Sequence, residues 1–240
     1  MLAWPDLQRR DRQPEWMDQP DLAPELHTAA LRGLARLNAV SGAVGMLWRP
    51  LRQLAQRLNR PLRILDLAAG GCDTLLALAH RAKRAGYSWH WAACDRSPQA
   101  RNLALEQAAR AGIALEYHTQ DLLTQPLPTG YDVLTCSLFL HHLNESEIIT
   151  LLQHASEAAG EMLLVNDLIR SRLSYALVWL GCRLLTRSPV VHVDGPLSIR
   201  AAFTVAEWRQ LAERAGLAPV QQSIGWPARM QLQWNRPHDG

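Results

Sequence analysis

Along the chain, apolar positions change period in a regular order. Over residues 22–59, Leu26, Ala30, Leu34, Leu37 and Val40 recur near every 3.6 residues, and Gly42 and Gly45 break the run. The pattern predicts a helix, then a second one starting near Pro50, which a first turn tolerates, and running to about Leu58. From residue 62 the texture becomes short apolar runs alternating with amphipathic segments. Strands are predicted at 62–68, 89–94, 115–118, 132–137 and 161–166, and helices at 74–85, 98–111 and 145–158. Such alternation implies a doubly wound parallel sheet with helices on both faces. The rhythm changes after Asp167. An insertion at 168–202 holds an apolar helix (175–185). A helix at 204–215 follows, with Thr204 as N-cap, Glu207 at the capping-box spacing and Gly216 at its end. Strands at 219–224 and 229–234 flank Gly225-Trp226-Pro227. A gap that short permits an antiparallel hairpin and forbids a crossover helix.

Composition narrows the class. The chain has 240 residues, 48% of them hydrophobic and 20% charged, enough for one α/β domain with a substantial core. The reading divides it into a flexible arm (1–21) and a single domain (22–240), made of a helical lid (22–59), a core (60–167), a cap (168–202) and a last helix with the hairpin (203–240). A net charge of +3, with no run of five or more like charges, disfavours nucleic acid as a partner. Cys72, Cys94, Cys136 and Cys182 are scattered without CxxC or ligand spacing. They read as free thiols in a reducing compartment, so a cytoplasmic location is expected. No stretch reaches the roughly 18 apolar residues of a membrane span. Peripheral membrane contact, and monomer against homodimer, stay open.

The candidate chemistry sits where the predicted strands end. Asp66-Leu67-Ala68-Ala69-Gly70-Gly71-Cys72-Asp73 follows the first strand, Asp95-Arg96 the second and Asp121-Leu122 the third. Open α/β sheets bind ligands at such carboxyl ends. This register, with the terminal hairpin, resembles the class I S-adenosylmethionine (SAM)-dependent methyltransferases, and from about residue 17 onward a bacterial group of free-standing small-molecule methyltransferases. Segments 165–168, 184–189 and 200–204 carry the second resemblance. It implies a Rossmann-like α/β fold: a seven-stranded, mostly parallel sheet with a terminal antiparallel hairpin, an N-terminal helical segment and a helical insertion after the fifth strand.

The resemblance also implies SAM as cofactor. Asp66 would face its ammonium group, directly or through water, and Ala68 and Gly70 would approach its methionine moiety. Asp95, with Arg96 beside it, would take the ribose hydroxyls, and Asp121 and Leu122 the adenine. Ala68 and Cys72 stand where the family often has glycine, which puts the turn geometry in question. Each acid also has a plain reading: Asp95 as a helix N-terminal acid before Pro98, and Asp121 as a solvated loop residue.

The segment 131–143 resembles the fourth-strand motif of small-molecule methyltransferases, with Ser137 near the transferable methyl. His141 and His142 are candidate bases for a phenol or enol; the plain reading packs one and solvates the other. Asn166, Trp179, His192 and Arg200 are candidate lining of an acceptor pocket, roofed by the insertion and the N-terminal helices, although the apolar helix also suits core packing against residues 26–48. Catechol-type metal binding would need carboxylates at the fourth and fifth strand tips. Ser137 at the fourth gives none, so no metal is expected. The absence of an Asn-Pro-Pro-Tyr-like motif argues against exocyclic amines of bases. The absence of Gly-x-Gly-x-x-Gly after the first strand argues against a nicotinamide oxidoreductase.

The expected function is methyl transfer to oxygen or carbon of a small hydrophobic acceptor, of the phenolic, polyketide or quinone-like kind. The alternative is a catalytically silent SAM-binding partner in a biosynthetic complex.

Overall fold

A computed structural model of the chain describes residues 5–19 and 21–237. Seven strands form one sheet: β1 (Arg63–Leu67), β2 (His90–Asp95), β3 (Leu115–Thr119), β4 (Tyr131–Ser137), β5 (Ala159–Leu168), β6 (Gln221–Gly225) and β7 (Arg229–Asn235), in the order β3-β2-β1-β4-β5-β7-β6. β1 to β5 pair in parallel, and β7 runs antiparallel between β5 and β6. The order reverses between β1 and β4, and that switch point opens the crevice in which such sheets bind ligands.

Alternation along the strands separates two apolar layers. One face of the sheet sends Leu65, Leu134 and Val165 against α5 (Glu145–Ala158) and α8 (Val205–Arg214), where Trp208 is fully buried. The other sends Ile64, Val133 and Leu164 against α2 (Ala43–Leu58) and α3 (Asp73–Arg84), with α4 (Pro98–Arg110) adding Ala104 and Ala108. Capping boxes start α5 at Asn144 and α8 at Thr204, the second as its spacing predicts.

Three elements depart from the sequence expectation. The second N-terminal helix begins at Ala43, not near Pro50. Gly42 takes φ +72° to turn out of α1 (Pro24–Val40), and Pro50 lies inside α2, held there because Leu47, Leu51 and Leu54 are buried on the sheet. The region after Thr186, for which the sequence pattern predicts no helix, holds one, α7 (Pro189–Ala201), beside α6 (Arg172–Leu185). Ser188 caps it and Pro189 opens it, while Gly195 lets the two helices close; a Cβ there would lie 2.4 Å from Cys182 Sγ. Gly195 and Pro196 inside α7 are what hid it from propensity.

The third departure is the arm. Residues 5–19, expected to be mobile, are docked. Arg10 donates to the carbonyls of Ala201, His141 and Leu143 at 2.5, 2.6 and 2.7 Å and stacks 4.0 Å from the Phe203 ring centre. The backbone N–H groups of Trp16 and Met17 donate to the buried Asp194 carboxylate. Charges that read as solvating in the sequence are anchors in the fold.

Among the described residues no helix is long and apolar enough to cross a membrane.

Candidate active site

The loop after β1 is built from alternate left-handed residues: Ala68 at φ +52°, Gly70 at +50° and Cys72 at +62°. For an L-residue this conformation costs about 1–2 kcal/mol, so the loop is held against its own preference. What holds it is visible. Ala69 N–H donates to Cys94 O, Cys72 N–H to Ala69 O, Gly70 N–H to an Asp95 oxygen (2.9 Å), and the Tyr117 hydroxyl to Gly70 O (3.2 Å). A Cβ on Gly70 would meet nothing within 4 Å, so the loop backbone borders open space. Alanine and cysteine therefore do not spoil the turn; they adopt the glycine geometry at a cost. Ala68→Gly is expected to raise stability by about 0.5–1 kcal/mol with SAM affinity kept, as thermal unfolding and calorimetric titration would measure.

Three acids end successive strands. Asp95 is half-buried and accepts from Ser97 N–H as well as Gly70 N–H, both at 2.9 Å, so it braces the loop and opens α4 at once. Asp121 accepts from Leu123 N–H, and Leu122 beside it is buried. A cavity of about 560 Å³ is lined by Ala68, Asp95, Asp121, Leu122, Leu138 and His142, with the exposed Arg96 on its edge. Met17 of the arm and His27 of α1 complete its roof.

Asp66 lies beneath the loop, buried, with one oxygen accepting from the Thr135 hydroxyl at 2.6 Å. Burial pushes its pKa up to about 7, against the Thr135 bond. A carboxyl raised above its unfolded value stabilises the fold fully below the unfolded pKa, and that contribution fades as pH rises through about 7. A cation placed above it favours the ionised form. SAM binding is therefore expected to tighten as pH rises to about 7, nearly tenfold per unit well below that value, and to lose this dependence in Asp66→Asn. Affinity independent of pH between 5.5 and 7.5 would remove the assignment of Asp66 to the ammonium.

Past β4, Leu138 takes φ +56° and His141-His142 turn back against the sheet. The His141 Nδ1 lies 2.7 Å from an Asp167 oxygen, and the other oxygen accepts from the His141 backbone N–H; both side chains are buried. Against its own burial, the Asp167 carboxylate lifts the His141 pKa above 6.5, while the imidazole and Leu168 N–H hold Asp167 low. His142 stacks on His141 with ring centres 4.2 Å apart, and burial drives its pKa down to about 3. A hollow of about 280 Å³ lined by Arg12, Glu15, His141 and His142 adjoins the larger cavity through Arg12 and His142.

The ligand atoms of Glu15, His141 and His142 lie within 4.8 Å of one another, a spacing that admits a metal ion. Arg10 and Arg12, hydrogen-bonded to the carbonyls of the same histidine turn, oppose a dication there.

Not every sequence candidate reaches the crevice. Trp179 lies against Arg183, 3.9 Å from guanidinium to ring centre, His192 Nε2 bonds to Thr186 O inside the α6–α7 turn, and Arg200 pairs with Asp11 of the arm. None of the three lines either cavity. Of the two expectations for the apolar helix, packing against residues 26–48 is the one seen: α6 packs on α1 and α7 and leaves Leu173 and Leu184 to solvent. Ser137 and Asn166 do meet, as register partners at the tips of β4 and β5. The sequence reading missed Arg12, Met17 and His27, which no motif marks, Leu138, which lies in the fourth-strand motif but was given no role, and Asp167 as the partner of His141. For Asp167 the signal was present: an acid beside Asn166 at the end of a strand next to β4.

Residues 64–159 match the family model described as methyltransferase domain. No curated protein matches the sequence. Among solved structures, the plantazolicin methyltransferase BpumL, in complex with a desmethylplantazolicin analogue and S-adenosylhomocysteine (SAH), superposes with a TM-score of 0.67 at 14% identity, covering 90% of this chain and 92% of that one. The magnesium protoporphyrin IX methyltransferase ChlM of Synechocystis PCC 6803, with bound SAH, gives 0.55 at 16%, covering 92% and 91%. A protein of Nostoc punctiforme PCC 73102 assigned as an O-methyltransferase gives 0.55 at 21%, covering 80% of this chain and spanned over 57% of its own length. Residues 64–159 thus match a methyltransferase domain, and the chain has the fold of the class I SAM-dependent methyltransferases. The enzymes of this class use SAM, and the glycine-like loop and strand-end acids of this crevice suit that cofactor.

Proposed function

We propose that the chain transfers the methyl group of SAM to oxygen or carbon of a small, largely hydrophobic acceptor of the phenolic, polyketide or quinone-like kind. The observation that carries the reading is the single cavity joining Ala68, Asp95, Asp121 and Leu122, beside a histidine buried against a carboxylate. When bound, SAM supplies an electrophilic methyl on a sulfonium sulfur.

The chain's residues do the rest. Asp95 accepts from the ribose hydroxyls, Leu122 covers the adenine, and the loop backbone approaches the methionine moiety. His141, with Nδ1 donating to Asp167, takes the acceptor's hydroxyl or enol proton at Nε2 as the nucleophile forms its bond to the methyl carbon. Met17, His27 and the docked arm exclude water from the junction of the two cavities. The left-handed geometry of Ala68 and Cys72 supports a loop able to approach SAM, which the enzyme and a silent SAM-binding partner would share. The four cysteines, free and buried, accord with a reducing compartment such as the cytoplasm.

The test is calorimetric titration with SAM, followed by incubation with a panel of phenolic polyketides and mass spectrometry. SAM binding with one acceptor gaining the mass of a CH₂ unit is the expected result. SAM binding with no product across the panel would turn the reading to the silent partner.

A further inference from the structure

Where β4 and β5 end, the sheet register sets a row of polar side chains on one face. Ser137 pairs with Asn166, and Asn166 with Gln231 of β7. Paired positions point to the same side, and Arg229, two residues from Gln231, continues that side. Asn166, Arg229 and Gln231 are 0%, 4% and 5% exposed. Yet Ser137 Oγ, Asn166 Oδ1, Gln231 Oε1 and Arg229 Nη1 have no hydrogen-bond partner among the described residues. Buried polar groups are rarely left so, and four at neighbouring positions is not ordinary packing.

The charge is unanswered too. Arg229 Nη2 donates to Asn38 Oδ1 at 2.9 Å, a neutral acceptor. Asp167, whose field reaches Arg229, spends its oxygens on His141 and the Leu168 N–H. Burial drags the guanidinium pKa down to about 10, the mark of a cation short of a counter-ion. Asn38 from α1 and the thioether of Met46 from α2, 3.6 Å from Asn166 Nδ2, touch the row, which is closed over and borders neither of the cavities described above. An unbranched methionine moves aside more readily than a branched aliphatic wall would.

We propose that this row is the polar subsite of the acceptor pocket, and that the acceptor carries a carboxylate held by Arg229, with neighbouring hydroxyl groups donating to Gln231 Oε1, Asn166 Oδ1 or Ser137 Oγ. One guanidinium among neutral amides balances one negative charge, which fits a carboxylate and falls short for a phosphate. The proposal rests on the methyltransferase reading and narrows its substrate to aromatic or polyketide hydroxy acids.

The test uses the full chain saturated with SAH and two probes that differ by the acid alone, 2,4-dihydroxybenzoate and resorcinol. SAH titration comes first; failure to bind it would overturn the cofactor reading and this proposal with it. With SAH bound, the carboxylated probe is expected to bind at least tenfold more tightly than resorcinol, and Arg229→Met to abolish the difference while SAH affinity holds. Equal affinity for the two probes, undetectable binding of both included, or a preference that survives Arg229→Met, would overturn the subsite and leave the methyltransferase reading intact. Should Arg229→Met not fold, Gln231→Glu decides. It offers the guanidinium an internal carboxylate, so it is expected to raise the melting temperature and weaken the acid probe tenfold or more. Unchanged probe binding in that variant would overturn the proposal.

Discussion

Asp95→Ala is expected to weaken SAM binding by about 1.5–3 kcal/mol, roughly 10- to 150-fold, the range for hydrogen bonds to a charged group. Two losses combine. The ribose hydroxyls lose an ionised acceptor, and the loop loses the brace between Gly70 N–H and Ser97 N–H. The second loss matters because Ala68, Gly70 and Cys72 stand in left-handed backbone that the loop's hydrogen bonds must enforce. Asp95→Asn separates the effects. Its amide oxygen can still accept one backbone bond, but the charge is gone, so an intermediate affinity is expected. Calorimetry on the three proteins makes the comparison, and an alanine variant that binds SAM as well as the parent would end the ribose assignment.

His141→Ala is expected to lower kcat by about 100-fold or more with SAM affinity unchanged, since a positioned base contributes some 10²–10⁴. The pH profile identifies the base. His141 is raised above 6.5 by Asp167, so the neutral, active form is lost as pH falls through that raised value. His142, held down to about 3, stays neutral across the same range and gives no limb there. Asp167→Asn removes the charge that favours the imidazolium, and the acidic limb of kcat is expected to move to lower pH while the rate drops. A limb that stays put in Asp167→Asn, measured with saturating SAM, would show that another group titrates.

The strands and their order were legible because a buried parallel strand writes itself as an unbroken apolar run. β4 is buried at every position from Tyr131 to Cys136, and β5 from Met162 to Leu168. Asp66 and Asp95 were legible for the same reason, as each closes such a run, whereas Asp121 follows the polar, half-exposed β3 and was placed by the resemblance. α7 was not, because Gly195 and Pro196 depress local helix preference while close packing on Cys182 decides the outcome. The arm was not either. Arg10 and Asp11 look like solvated charges, and only the carbonyls of the histidine turn and the Arg200 side chain, both distant in sequence, give them partners. Trp179, His192 and Arg200 failed as pocket residues on the same ground: helix faces are assigned by tertiary neighbours, which a single period does not reveal. The polar row at Ser137, Asn166, Gln231 and Arg229 depends on strand register, and only Ser137 and Asn166 could be placed at a strand tip in advance.

The position of β7 between β5 and β6 sets an order of assembly. β1 to β4 can pair as soon as their own helices form. β5 gains its second neighbour only when β7 arrives, with α6, α7 and α8 made in between. Bringing those strands together closes a long loop, which slows pairing relative to the first half. Until then β5, ten residues long and mostly apolar, presents an open edge to any other chain. Refolding at high concentration is therefore where this protein is most prone to aggregate, and a chaperone that shields that edge would be expected to raise the yield.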